Sequence, residues 1–295
     1  MKILNVSDIH LGWSKPRCRQ DPDWVESQQN IVDFVVKTAI EEKVDYIIDN
    51  GDTFDVPVQP LAVINIIPNA LERYKSDINW ICMPGNHSLQ YHQPKNMPKS
   101  ALSTLGHCKK VTMLKCNEEF EAEFMDIPIV HRLIFPNLES VPFYVKDKGE
   151  GCYEYAELLL DRYPCHDLIL TGDYHHSFHF EKDGRHVVNP GCANIQDAKM
   201  IEYHPKLAII DYNPGKKVGV DWIAIPDNIE LTSNEHILKV AKSEANIDGF
   251  LEKLEEAKEF TLDFWVDVEN YMEENNILQD EKDFVLNEVK PQKET

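Results

Sequence analysis

Apolar and polar positions fall into short blocks along the first third of the chain. Lys2 to Val6 is an apolar run that stops at Ser7-Asp8, which predicts a buried strand delivering polar residues at its end. From Asp23 to Glu42, Trp24, Ile31, Val32, Val35, Val36, Ala39 and Ile40 recur at helical spacing and predict an amphipathic helix. Val44 to Ile48 predicts the next strand, and Leu61 to Tyr74 a second helix that Pro68 should kink or divide. Asn79 to Met83 predicts a third strand, broken by Pro84-Gly85. Such alternation of strand and helix argues for parallel β-α-β units.

Past Lys110 the rhythm changes. Val111 to Lys115, Phe120 to Phe124 and Pro128 to Phe135 predict strands with short links, so the sheet turns mixed or antiparallel. Glu154 to Tyr163 predicts a helix and Asp167 to Leu170 a strand ending at Thr171-Gly172. A hairpin is expected from Phe178 to Glu181 and His186 to Val188 around Lys182-Asp183-Gly184. Leu207 to Tyr212 and Val218 to Ile225 add two strands. After Pro226 charged helix formers take over, with helices expected at Asn234–Ser243, Ile247–Asn270 and Asp280–Val289. Two regions are therefore expected: residues 1–225, carrying the strands, and an acidic helical region, 226–295. The stripe Phe250, Leu251, Leu254, Ala257, Phe260, Phe264 and Val268 either packs on the first region or offers a face to a partner.

Charge alters this picture more than size does. The 295 residues carry a formal net charge of −21. From Asp221 onward, twenty acidic side chains stand against seven basic ones, so most of that charge sits in the last quarter. A free-standing DNA binder draws its affinity from a basic stripe, and none is visible here. A nucleic-acid substrate would need bound divalent cations, and a second subunit, to supply positive field. Seven scattered cysteines with no C-x-x-C spacing suit free thiols rather than a disulfide framework or zinc knuckle. The N-terminus runs into Asp8 too soon for a signal peptide, and no apolar run could span a bilayer. The expectation is a soluble cytoplasmic protein with no membrane partner.

The candidate chemistry sits where the predicted strands end. Asp8-Ile9-His10, Gly51-Asp52-Thr53-Phe54-Asp55, Gly85-Asn86-His87, His131 and Gly172-Asp173-Tyr174-His175 follow one another in that order. Phosphodiester hydrolysis needs an acidified water, screened phosphate oxygens and stabilised developing charge, which two divalent ions held together supply. Asp8 and His10, two apart at a strand end, can grip one ion. Asp52 stands where a shared carboxylate is required, Asn86 offers a neutral oxygen, and His131, Asp173 and His175 complete the set. His87 follows a ligand directly and can aim a proton at the leaving-group oxygen. Taken singly, each segment is an ordinary loop feature or, for His131, a core histidine; the ordered set points to a metal site. Trp13, Lys15, Arg17 and Arg19, and separately Tyr91, His92, Gln93 and Lys95, lie in loops near the motifs. They either contact a substrate backbone or base, or are plain surface.

These residues resemble the calcineurin-like metallophosphoesterase superfamily, with its D-x-H, G-D-x-x-D, G-N-H, lone H and G-H-x-H motifs, over roughly residues 1 to 212. The resemblance implies a four-layered α/β/β/α sandwich with a C-terminal helical extension, and two divalent ions, Mn2+ first and Mg2+ next. It assigns Asp8, His10, Asp52 and His175 to one ion, Asp52, Asn86, His131 and Asp173 to the other, and proton donation to His87. Gly51-Asp52-Thr53-Phe54-Asp55 is similar to the G-D-x-F-D version of SbcD-type and double-strand-break-repair exonuclease subunits, and the compact length to their phage-encoded members. Asn189-Pro190-Gly191-Cys192 resembles their P-G-S turn. The resemblance thus implies a DNA exonuclease and endonuclease subunit that works in recombination, repair or replication with an SbcC-like coiled-coil ATPase and pairs as a homodimer. A small-molecule phosphodiesterase or phosphatase is the alternative, and a scaffold that has lost the metals a third reading.

Two positions depart from the pattern. Asp173 replaces the usual histidine of G-H-x-H, which favours hard, oxygen-preferring cations or else shifts a ligand role to His176. Ser88 follows Gly-Asn-His where an acidic residue is frequent, which takes a partner away from His87.

Overall fold

In the computed structural model of this chain, residues 1–146 and 153–226 are described, together with 232, 233, 272, 277, 279 and 282. The expected helices beyond residue 233 lie outside the described residues, apart from the helical position Lys282. The chain divides into two compact units, Met1–His236 and Ile237–Thr295.

The first unit opens with β1 (Lys2–Val6), α1 (Trp24–Glu41), β2 (Tyr46–Asp49), α2 (Leu61–Ile64), α3 (Ile66–Arg73), β3 (Asn79–Cys82), α4 (Ala101–Leu105) and β4 (Val111–Met113). It continues through β5 (Glu121–Phe124), β6 (Ile127–His131), β7 (Ile134–Phe135), α5 (Phe143–Lys146), β8 (Glu154–Tyr155) and α6 (Ala156–Arg162). It closes with β9 (Leu168–Gly172), β10 (Phe178–Lys182), β11 (Arg185–Asn189), β12 (Lys206–Asp211) and β13 (Gly219–Ala224). A six-stranded sheet runs β13-β12-β1-β2-β3-β4 and a five-stranded sheet runs β10-β11-β9-β6-β5. β1 to β4 are mutually parallel, with β12 added antiparallel to β1.

Side-chain alternation builds the layers. In the second sheet Ile129, Leu168, Leu170 and Val188 join the large core shared with β1, β2 and the α1–α3 helices. Their neighbours Val130, Ile169 and Val187 point the other way and pack with Leu159 and Leu160 of α6. The central strands β1, β2, β6 and β9 are thus buried on both faces while the edge strands β5, β10 and β13 are partly exposed, the α/β/β/α arrangement that the family resemblance implied.

Two boundaries differ from the sequence pattern. The 61–74 helix does divide, but at Asn65, three residues before Pro68. A proline ring collides with the carbonyl four residues back, here that of Ile64, while Pro68 itself sits in the first turn of α3, where no N–H is needed. The expected strand Pro128–Phe135 is two: β6 stops at His131, and β7 pairs instead with β8, the first two residues of the expected 154–163 helix. Between them Arg132 reaches Glu121 and Glu154, and Arg162 of α6 meets the same two carboxylates, which fixes the detour.

Candidate metal centre

The ends of β1 and β2 stay zipped together after the strands finish. The Asp8 N–H donates to the Gly51 carbonyl at 3.0 Å, that of His10 to Asp52 at 2.9 Å and that of Leu11 to Thr53 at 2.8 Å. The two loops run as a pair, but not as extended strands. Asp8, His10 and Asp52 all take left-handed backbone, with φ of 50°, 49° and 50°, and Asp173 does so at 72°. Asp and His tolerate this region better than branched residues, at a cost of about 1 kcal/mol or more each. Left-handed turns swing these side chains off the strand direction and into a common space.

Glycines make the room. Gly51 has a φ of 125°, and a Cβ there would collide with the His131 ring. At Gly85 a Cβ would strike the Asp52 backbone and carboxylate. Asp49, at the end of β2, accepts the Gly51 N–H at 3.1 Å and the Thr53 hydroxyl at 2.8 Å, so it shapes the turn that presents Asp52. Burial pushes its carboxyl up to about 7 against those hydrogen bonds.

Ligand-capable atoms of Asp8, His10 and His175 lie within 4.8 Å of one another, as do those of Asp8, Asp52 and His131, and those of His10, Asp55 and His87. Asp8 rather than Asp52 is the carboxylate common to two of these groups. One Asp8 oxygen accepts from Ser7 Oγ and from the Asp173 N–H; the other is 3.8 Å from His10 Nε2 and 3.6 Å from His175 Nε2. Asp52 Oδ1 accepts the His87 N–H at 2.9 Å, and Oδ2 stands 3.1 Å from His131 Nε2. Asn86 Oδ1 lies 3.2 Å from that same nitrogen. The Nδ1 of His131 donates to the Asn50 carbonyl at 2.9 Å, which fixes the ring and leaves Nε2 as the nitrogen facing Asp52 and Asn86.

Two buried atoms in this space, Asp8 Oδ1 and His10 Nδ1, have no hydrogen-bond partner, and Asp52 Oδ2 has only the His131 imidazole. Leaving such atoms unpaired costs about 1–3 kcal/mol apiece, more for charged groups. Oxygen and imidazole donors turned toward one another, with free electron pairs, fit divalent cations. Without cations, protons must do the balancing. Burial opposes charge on His131, but Asp52, Asp8 and Asp173 prevail and lift it to about 10. Burial likewise opposes charge on Asp52, yet His131, His10 and His87 hold its carboxyl down at about 2. For His10, burial is outweighed by Asp55, Asp52 and Asp8, and its affinity for a proton rises. Burial dominates at Asp173, which it raises, and at His175, which it lowers.

The seven sequence-predicted ligands and His87 therefore assemble at one place, although Asp173 is tied to it through its backbone and is in none of the three groups. His176 is not a member; its ring packs against Tyr174 and Tyr203. Ser88 is fully buried and bridges the Phe54 N–H and carbonyl, fastening the third loop to the second. His87 is exposed and meets His10 edge-on at 5.2 Å, with Asp55 close to both. Asn189-Pro190-Gly191-Cys192 holds the last loop: Asn189 donates to the Tyr174 carbonyl at 2.6 Å and the Cys192 N–H to that of His175 at 3.0 Å. Asp49, Asn50, Ser7 and Asp55 are the functional neighbours that motif reading missed. Asp55 lies inside Gly-Asp-Thr-Phe-Asp, so its position was visible though its closeness to His10 was not.

Other expectations concern the surroundings. The six described cysteines are free thiols. No described helix is long and apolar enough to cross a membrane.

Comparison with known proteins finds likenesses over part of the chain. Residues 1–125 match the family model of calcineurin-like phosphoesterases. The chain is 32% identical over 109 residues to the DNA double-strand break repair protein Mre11 of Saccharolobus solfataricus, covering 36% of this chain and 27% of that one. It thus spans about a quarter of the length of this curated relative. Among solved structures, an archaeal phosphodiesterase matches with a TM-score of 0.41 and 17% identity, over 76% of this chain and 99% of its own. A predicted phosphoesterase of Streptococcus pneumoniae matches with a TM-score of 0.38 and 14% identity, over 76% and 88%.

Proposed function

We propose that this chain, whose residues 1–125 match the family model of calcineurin-like phosphoesterases, is a metal-dependent phosphodiester hydrolase acting on DNA, a nuclease subunit with both exonuclease and endonuclease activity. The observation that carries the proposal is the convergence of buried ligand atoms: Asp8 Oδ1 and His10 Nδ1 have no hydrogen-bond partner, and Asp52 Oδ2 and His175 Nε2 stand beside them with His131. Asp8, His10, Asp52 and His175 would hold one cation, and Asp52, Asn86, His131 and Asp173 the other. Bound divalent cations, Mn2+ in this reading, supply Lewis acidity and a hydroxide at neutral pH.

The chain's own residues do the rest. His131, locked by the Asn50 carbonyl, keeps its Nε2 free of protons once a cation is present. His87, exposed at the mouth, gives a proton to the leaving oxygen, with an Asp55 carboxylate oxygen within 4.8 Å of its ring. The oxygen-rich donor set, with Asp173 in place of histidine, suits Mn2+ or Mg2+ over zinc.

The DNA reading draws on the Gly-Asp-x-Phe-Asp motif and on the likeness to the double-strand break repair protein. With a charge of −21 the chain needs a helper that supplies positive field, and an SbcC-like coiled-coil ATPase is the partner we propose, with the acidic region 226–295 as cap or contact and two copies pairing. The same negative charge favours a second reading, a small-molecule phosphodiesterase or phosphatase. Mn2+-dependent release of nucleotides from linear DNA, alone and with the ATPase, tests the first. Turnover of a nitrophenyl phosphodiester or monoester with no DNA cleavage in any form would establish the second.

A further inference from the structure

One loop beside the cluster is held more firmly than a surface loop requires. Gln28 of α1, fully buried, accepts the Gly12 N–H at 2.7 Å and donates to the Gly12 carbonyl at 2.9 Å. The next residue, Trp13, donates its N–H to Gln59 at 3.2 Å, and Gln59 also donates to the Val56 carbonyl. Leu11 accepts from the Asp55 N–H at 3.0 Å, closing the link to the second motif. On this braced backbone the Trp13 side chain is 60% exposed.

Trp13, Asp55, Val56, Val58, Gln59 and Pro60 line a pocket of about 480 Å³. Val56 and Val58 are exposed too, so the pocket presents an open apolar wall. It includes Asp55, whose carboxylate is 3.7 Å from His10 Nδ1, so the pocket borders the candidate metal centre. A second pocket, about 460 Å³, begins at His176, the residue after His175, and is lined by Lys199 and Lys206. Glu202 also lines that second pocket and offsets its lysines, whereas the Trp13 pocket includes a member of the cluster itself, Asp55.

We propose that the Trp13 pocket seats a base of a polynucleotide substrate by stacking on the indole, next to the scissile phosphate. An indole on a fixed backbone offers a flat apolar face at low entropic cost, and every base has a matching face. Val56, Val58 and Pro60, which line the same pocket, would give the base an apolar edge beside the indole. Stacking of this kind discriminates bases weakly and abasic sugars strongly, so Trp13 sets a requirement for a base and not for a sequence. The inference rests on the phosphodiesterase reading above and narrows its substrate.

The test uses the full chain with Mn2+ and two substrates, dithymidine monophosphate and its analogue lacking one base. Trp13→Ala should lower the ratio of their kcat/KM values about tenfold or more, and Trp13→Phe should restore most of it. A ratio unchanged in Trp13→Ala overturns the proposal. Tryptophan fluorescence on titration with dithymidine methylphosphonate, whose neutral linkage removes charge effects, reads the pocket without turnover. Quenching should occur in the parent and vanish in Trp13→Ala; equal quenching in both overturns it. If no phosphoester is hydrolysed with any divalent metal, the catalytic reading falls and the titration alone decides the pocket. Sedimentation showing that Trp13→Ala converts a dimer to a monomer would assign the apolar wall to a second copy of the chain and also overturn the proposal.

Discussion

His131, at the end of β6, and His175, in the loop between β9 and β10, enter the same cluster, yet they are held in opposite ways. His131 is fully buried, packed on Gly51 and locked through Nδ1 to the Asn50 carbonyl. Asn50 is itself fixed, its side chain bonded to Asn5 and to the Thr171 carbonyl. His175 is a third exposed; its backbone is pinned by Cys192, and its ring meets the ring of His10 at 3.4 Å. The Asp52–His131–Asn86 side is thus formed before any cation arrives, while the Asp8–His10–His175 side brings two imidazoles into a contact that a cation would settle. Preorganisation costs nothing further on binding, so the two sides should fill at different concentrations.

The sharpest way to break this comparison is at the carboxylates. Asp52→Asn should reduce kcat/KM for a phosphodiester on the order of a thousandfold, about 4 kcal/mol. Elemental analysis then separates two arrangements: if Asp52 is shared, the variant loses both cations, whereas loss of both in Asp8→Asn and one in Asp52→Asn would make Asp8 the shared group. Next in size, His131→Ala should weaken cation affinity roughly a hundredfold and His175→Ala roughly tenfold, read by calorimetric titration with Mn2+. Equal losses would mean that the burial of His131 adds nothing.

How far could this have been read without coordinates? The strands Lys2–Val6 and Asn79–Cys82 and the helix after Asp23 were legible because their apolar periodicity is long and their ends are marked; Asp23 caps its helix by accepting the Glu26 N–H at 2.9 Å. The candidate donors stood out in the sequence because they cluster at those ends in a fixed order. The break after His131 was not, since Ile127 to Phe135 is apolar throughout apart from His131, Arg132 and Pro128. Only the ion pairs from Arg132 to distant Glu121 and Glu154 interrupt it. A two-residue strand such as Glu154–Tyr155 has no period to detect. Nor do local patterns report the left-handed turns at Asp8 and His10, where alternation suggested an extended pair.

Smaller effects sharpen the same contrast. Removing cations with a chelator should lower the stability of the first unit, and adding Mn2+ at about a hundred times its Kd should return about 2.7 kcal/mol, seen as a rise in Tm. In the chelated protein Asp49 should be visible. Its carboxyl is held near 7 in the fold and returns to 3.8 in the unfolded chain. Between those values the folded state keeps a proton that the unfolded state has released, so stability falls as pH rises, by up to about 1.4 kcal/mol per pH unit. Asp49→Asn should flatten that slope; denaturant titrations at several pH values would show it, and an unaltered slope would place the titration elsewhere.

The twisted backbone at Asp8, His10, Asp52 and Asp173 has a consequence for descent as well as for chemistry. At each of these four sites glycine would relieve the main chain while erasing a donor. A lineage freed from hydrolysis would gain robustness by drifting to glycine at those places, whereas one still cutting its substrate must go on bearing the tension.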